Sequence, residues 1–159
     1  MNPPSAKSEI LPPKLSAMGY TAIALHQNIA GQQLIHAKIN NVEGVYILDS
    51  GAGHTVVDSR QIETLKLDLR QEEAQFTGGG FGAHGIENVP SYGNKLEIGN
   101  FKMDNLVVAV MALDSAWESL AHIGAKEVLF GFIGVDVLKS GNALLDFSTM
   151  TLYLQNAHP

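Results

Sequence analysis

Among the acidic residues of this 159-residue chain, Asp49 is set apart by its neighbours: Val45-Tyr46-Ile47-Leu48 runs straight into it and Ser50-Gly51-Ala52 follows. Such a run predicts a short buried strand that ends abruptly at the acid. A carboxylate there is desolvated on one side, and Gly51 lets the backbone turn sharply beside it. The group could act as a general base or acid. Asp-Ser-Gly also opens ordinary turns by bonding its own backbone, so the tripeptide alone leaves both readings open.

Other chemistry is weaker. Gly80-Phe81-Gly82-Ala83-His84-Gly85 matches the dinucleotide pattern G-x-G-x-x-G. That pattern works by opening a helix, and Pro90 with the turn-rich Ser91-Tyr92-Gly93-Asn94 argues against one. The six histidines, at 26, 36, 54, 84, 122 and 158, lack metal-ligand spacing. His54 and His84 could lie near a cleft and lend it pH sensitivity. Ser50 cannot be a nucleophile-elbow serine, because Leu48 stands where the first glycine is needed. Asp114, in Leu113-Asp114-Ser115-Ala116, reads as a helix cap, Asp136 as a helix-start residue and Asp146 as a strand-end residue.

The elements that must position Asp49 are mostly strands. Thr21–Leu25 and Leu34–Ile39 are each strand-like, joined through Ala30-Gly31-Gln32, and Asn40–Gly44 is turn chemistry. Thr55–Val57 is a further short strand, and Ser59–Leu69 could hold a brief helix capped by Ser59. Phe76–Gly85 contains five glycines in ten residues and suits the tip of a mobile hairpin, with Gly78, Gly79, Gly80, Phe81 and Gly82 as a lid over substrate. Lys95–Ile98, Gly99-Asn100 and Phe101–Met103 spell a hairpin, and Leu106–Met111 continues it. Ala116–Ala125 reads as a short helix with Ser115 as cap. Val128–Gly134 leads into a helical turn over Val135–Ser140, and Ala143–Phe147 with Thr151–Leu154 reads as a closing hairpin.

Composition bounds the rest. With 45% apolar and 16% charged residues the chain suits one compact domain, and 16 glycines among short apolar runs favour an all-β fold. A net charge of −6 without a Lys/Arg cluster argues against nucleic acid and anionic membranes as partners. The absence of cysteine removes thiolate nucleophiles and Cys-based zinc sites. Residues 1–19, with Pro3, Pro4, Pro12 and Pro13, read as a flexible arm before a domain spanning 20–159. They contain no signal h-region and no membrane span. The sequence leaves the compartment open: cytoplasmic as written, or periplasmic where a signal or anchor has been trimmed.

Tyr46-Ile47-Leu48-Asp49-Ser50-Gly51-Ala52 resembles the apolar-apolar-Asp-Thr/Ser-Gly-Ala signature of retropepsin-like aspartic proteases. Phe132-Ile133-Gly134-Val135-Asp136-Val137-Leu138 resembles that family's apolar-apolar-Gly segment beneath the catalytic loop. The glycine-rich stretch lies where the family has its flap, and Leu144-Leu145-Asp146-Phe147 resembles the closing strand of bacterial members. The resemblance spans roughly Tyr20 to Leu154.

It implies a closed or partly open β-barrel with one or two short helices and one lobe per chain. It further implies Asp49 as a catalytic residue, Ser50, Gly51 and Ala52 as loop support, and Phe132, Ile133 and Gly134 beneath the loop. Ser50 would bond across to the other subunit's loop. No metal and no cofactor are implied. Because the chain supplies one Asp-Ser-Gly, the second carboxylate is expected from another copy in a homodimer acting on peptide or protein substrates. The alternative is a non-catalytic module using the same fold to bind peptides or to dimerise. Gly53-His54 departs from the family's usual continuation.

Overall fold

The structure, a computed structural model, describes residues 6–77 and 86–156. A helix, α1 (Ala6–Ala17), precedes the strands β1 (Tyr20–Ala24), β2 (His26–Gln27), β3 (Gln33–Ile39), β4 (Val42–Leu48) and β5 (Val56–Asp58). Then come β6 (Gln75–Thr77), β7 (Ile86–Ile98), β8 (Phe101–Met111), the helix α2 (Asp114–His122), β9 (Leu129–Ile133), α3 (Val135–Ser140), β10 (Leu144–Asp146) and β11 (Thr151–Gln155). The fold is mainly β, as the sequence suggests.

Eight strands form one sheet in the order β2-β3-β4-β9-β5-β8-β7-β6. A further pairing of β3 with β7, through Lys38↔Glu97 and Ile39↔Leu96, closes the six from β3 to β7 into a ring. Ile35, Ile39, Leu96, Ile98, Val108 and Ile133 are fully buried in the main core cluster. Each such side chain is worth roughly 1.5–3 kcal/mol of transfer free energy. A separate sheet, β1-β11-β10, leaves β10 at its edge.

β9 runs between two strands, parallel to β4 (Leu48↔Ile133) and antiparallel to β5 (Val56↔Phe132). The approach is so close that a Cβ at Gly131 would lie 1.9 Å from the Val56 carbonyl oxygen. Only glycine fits, so the loop from β4 to β5 is held over the end of β9.

Several local expectations are corrected. Ser91-Tyr92-Gly93-Asn94 is not a turn outside strands; it lies inside β7 as an irregularity in its pairing with β8, with Gly93 at φ +73°. The buried Asn94 amide donates to the Ser91 and Leu106 carbonyls at 3.0 and 3.2 Å, replacing the broken ladder bonds. Ser59–Leu69 holds only a 3₁₀ turn, Ser59–Gln61, capped by Asp58 rather than Ser59. Leu65 and Leu67 are both buried with Lys66 at φ +54°, a spacing and a backbone that exclude a helix. The turn after β3 occupies Asn40-Asn41, both with positive φ, and Val42–Gly44 already belongs to β4. α2 begins at Asp114 without a side-chain cap from Leu113. Asp114 instead pairs with Arg60 Nη2 at 2.9 Å.

Of the segment expected to be a flexible arm, Ala6–Ala17 is helical despite Pro12 and Pro13. Leu15 is buried, and Gln155 Nε2 donates to the Met18 carbonyl just beyond the helix at 2.7 Å. No described helix is long and apolar enough to cross a membrane.

Candidate active site

Asp49 follows the last residue of β4, where the strand's buried run meets a surface loop. Its N–H donates to the Ile133 carbonyl at 2.9 Å, fixing the acid's backbone to the end of β9. Its Oδ1 accepts from the Gly51 N–H at 2.9 Å, and the Ala52 N–H donates to the Asp49 carbonyl at 3.2 Å. Oδ2 has no partner among the described residues. Asp49 is half-buried, whereas Ser50 and Gly51 are exposed. One carboxylate oxygen is therefore held by the loop, and the other is not engaged by it.

Gly51 does not need a left-handed φ, contrary to the sharp-turn argument. A Cβ there would sit 3.2 Å from Asp49 Oδ1, so the residue is small because the carboxylate approaches its backbone. The Ser50 hydroxyl makes no hydrogen bond among the described residues.

The far side of the loop is tied to α3. The Val135 N–H donates to the Ala52 carbonyl at 2.7 Å. Thr55, fully buried, donates from its N–H to Asp136 Oδ2 and from its hydroxyl to Asp136 Oδ1, both at 2.9 Å. The same hydroxyl oxygen accepts the Gly134 N–H at 3.2 Å. Gly134 passes so close beneath that a Cβ would lie 2.7 Å from both the Ala52 and His54 carbonyl oxygens. Ile133 and Gly134 thus contact the loop that carries Asp49, and Phe132 pairs with Val56 just beyond it.

Sequence reasoning missed Thr55 and Asp136 as a pair: one was a strand start, the other a helix-start acid. Asp136 does donate nothing but accepts the Val137 N–H at 2.9 Å within its helix, and its larger task is to clasp the loop.

The other acids near elements of interest are engaged elsewhere. Asp58 accepts from Trp117 Nε1 at 2.7 Å and from Arg60, and Asp146 accepts from the Ser148 N–H and hydroxyl at 2.9 and 2.6 Å. No second carboxylate hydrogen-bonds with Asp49 among the described residues. The stem of the glycine-rich hairpin is present, with Phe76↔Glu87 paired and Phe76 exposed. The lid residues Gly78, Gly79, Gly80, Phe81 and Gly82, with the G-x-G-x-x-G match, lie outside the described residues.

A family model described as aspartyl protease matches residues 35–137, which take in the Asp49 loop and Gly134. The chain belongs to that family. Membership and fold together support a protease function in general terms. Among solved structures, the retropepsin-like aspartic protease from Rickettsia conorii superposes with a TM-score of 0.56 at 20% identity, over 89% of this chain and 94% of that one. The EIAV protease in complex with the inhibitor HBY-793 superposes with a TM-score of 0.53 at 16% identity, over 77% of this chain and 99% of that one. These likenesses establish a retropepsin-like fold. No curated protein sequence matches the chain at a significant level.

Proposed function

We propose that this aspartyl protease family member is an endopeptidase, with residues 20–159 as its protease domain and two Asp49 carboxylates, one from each copy of a homodimer, as its catalytic pair. The carrying observation is the placement of Asp49: anchored through its N–H to Ile133 and through Oδ1 to Gly51, with Oδ2 unengaged. Two carboxylates brought close cannot both ionise, so such a pair shares one proton. The ionised member takes a proton from water as its oxygen attacks the peptide carbonyl, and the protonated member gives its proton to the carbonyl oxygen. Collapse of the tetrahedral adduct then delivers a proton to the departing amine. Ser50, Gly51 and Ala52 shape the loop.

The second copy is favoured because Asp58, Asp114, Asp136 and Asp146 are committed to other partners. A mainly apolar hollow of about 490 Å³ opens at Ser50 and is walled by Leu48, Leu138, Ala143, Leu145 and Phe147. Beside it the edge strand β10 leaves Leu144 46% exposed, and Phe147, just past the strand's end, is 64% exposed. An apolar surface with an open strand edge next to a lone catalytic acid suits a two-fold contact.

The test joins assembly to activity. Sedimentation of the purified chain should show a dimer, and Asp49→Asn should lower peptide cleavage by at least ~10³-fold while the dimer persists. Cleavage undiminished by Asp49→Asn would rule out this assignment. A dimer that binds peptides and never cleaves them would establish the non-catalytic module instead.

A further inference from the structure

We infer that the protein selects peptide substrates carrying a lysine or arginine side chain, received in a cavity beside the Asp49 loop; the inference rests on the peptidase reading above. The cavity measures about 590 Å³ and lies between His54, at the end of that loop, and the base of the β6–β7 hairpin. Val107, Val108, Ala109 and Pro90 give it an apolar wall, and Val107 is 40% exposed although apolar. Glu72, Glu73 and Tyr92 also line it. None of the lining residues is lysine or arginine.

This is the division of chemistry that a long cationic side chain matches. Its methylenes lie on apolar surface while its charged head stays near water and carboxylates. The Tyr92 hydroxyl donates to Glu73 Oε2 at 2.5 Å, which holds that carboxylate in one place and leaves its second oxygen for a ligand. Glu72 is met by Arg70 only at 4.0 Å, the outer limit of an ion pair, and Arg70 itself does not line the cavity. His54 and the amides of Gln75 and Asn88 complete the polar lining.

Reach sets the position. Asp49 and His54 are five residues apart, so their separation cannot exceed roughly 18 Å along even an extended chain. An extended substrate rises about 3.3 Å per residue. The cationic residue therefore falls within about five positions of the scissile bond.

A randomised peptide mixture digested by the full chain, with cut sites read by mass spectrometry, provides one arm. Retention of Lys-containing peptides over their norleucine counterparts by immobilised Asp49→Asn protein provides the other, which needs no catalysis. Lysine or arginine should be enriched at one fixed distance from the cut, and retention should favour lysine by about fivefold, as expected for a partly exposed ion pair. The double change Glu72→Gln, Glu73→Gln keeps shape and the Tyr92 hydrogen bond and should bring both preferences to within about twofold of none.

Cleavage without basic enrichment, or enrichment that survives the glutamines, overturns the inference and leaves the peptidase intact. Selective retention that the glutamines abolish, with no cleavage by the unmodified chain, supports the cavity's role and removes the peptidase. Neither cleavage nor selective retention overturns both.

Discussion

Asp49 was legible because its signal is local: an apolar run that stops at an acid. Its supports were not, because the residues that clasp its loop, Thr55 and Asp136, lie 81 positions apart and meet only through the fold. Gly134 is the most constrained of them. Gly134→Ala would press a methyl against two carbonyl oxygens, and the forced shift should cost about 1–3 kcal/mol in urea unfolding and lower cleavage as the loop is displaced. Tyr46 offers a different test. Its ring packs edge-on to Phe130, and its buried hydroxyl has no hydrogen-bond partner among the described residues. Burial pushes its phenol well above the ordinary value near 10. The unfolded phenol ionises first, so this group's stabilisation is complete below pH ~10 and falls as pH rises further. Tyr46→Phe should remove that alkaline loss in pH-dependent unfolding and change stability at neutral pH by no more than about 1 kcal/mol.

At the scale of elements, strands were readable where alternation and turn chemistry agreed, as in the Ile98↔Phe101 hairpin with Gly99 at φ +56°. They were misread where polar residues perform turn-like bonding inside a strand, as Asn94 does in β7, since its partners Asn40, in the turn after β3, and Leu106, in β8, are distant in sequence. The same principle governs the link between the Asp49 loop and α3. Thr55→Val keeps the shape and leaves the Gly134 N–H and one Asp136 oxygen without their hydroxyl partner. It should cost about 1–3 kcal/mol. Thr55→Ser, which retains the hydroxyl, should recover most of the stability and the activity, as urea titration and peptide cleavage would show.

The whole molecule determines whether one Asp49 can meet another. If β10 and the hollow at Ser50 form the two-fold contact, Phe147→Glu should shift sedimentation toward monomer by at least ~10-fold in dissociation constant and reduce cleavage at low protein concentration. Raising the concentration should restore part of the activity. A monomeric, fully active Phe147→Glu protein would show that the contact lies elsewhere. The single acid signature in the sequence pointed to a partner copy, but the face that would meet it was illegible, because Ser50 and Phe147 are brought together only by the second sheet.

That second sheet has a consequence in time. Tyr20 pairs with Gln155, and β10 lies against the other side of β11, so the edge beside Asp49 is framed by strands from opposite ends of the folded unit. Pairings of such long sequence separation form late. During synthesis the acid at position 49 emerges long before residues 144–155, and if the proposed two-fold contact is made at β10, a second copy has no edge to meet until these arrive. Catalytic competence would thus follow completion of the domain, leaving the growing chain inactive while it is being made.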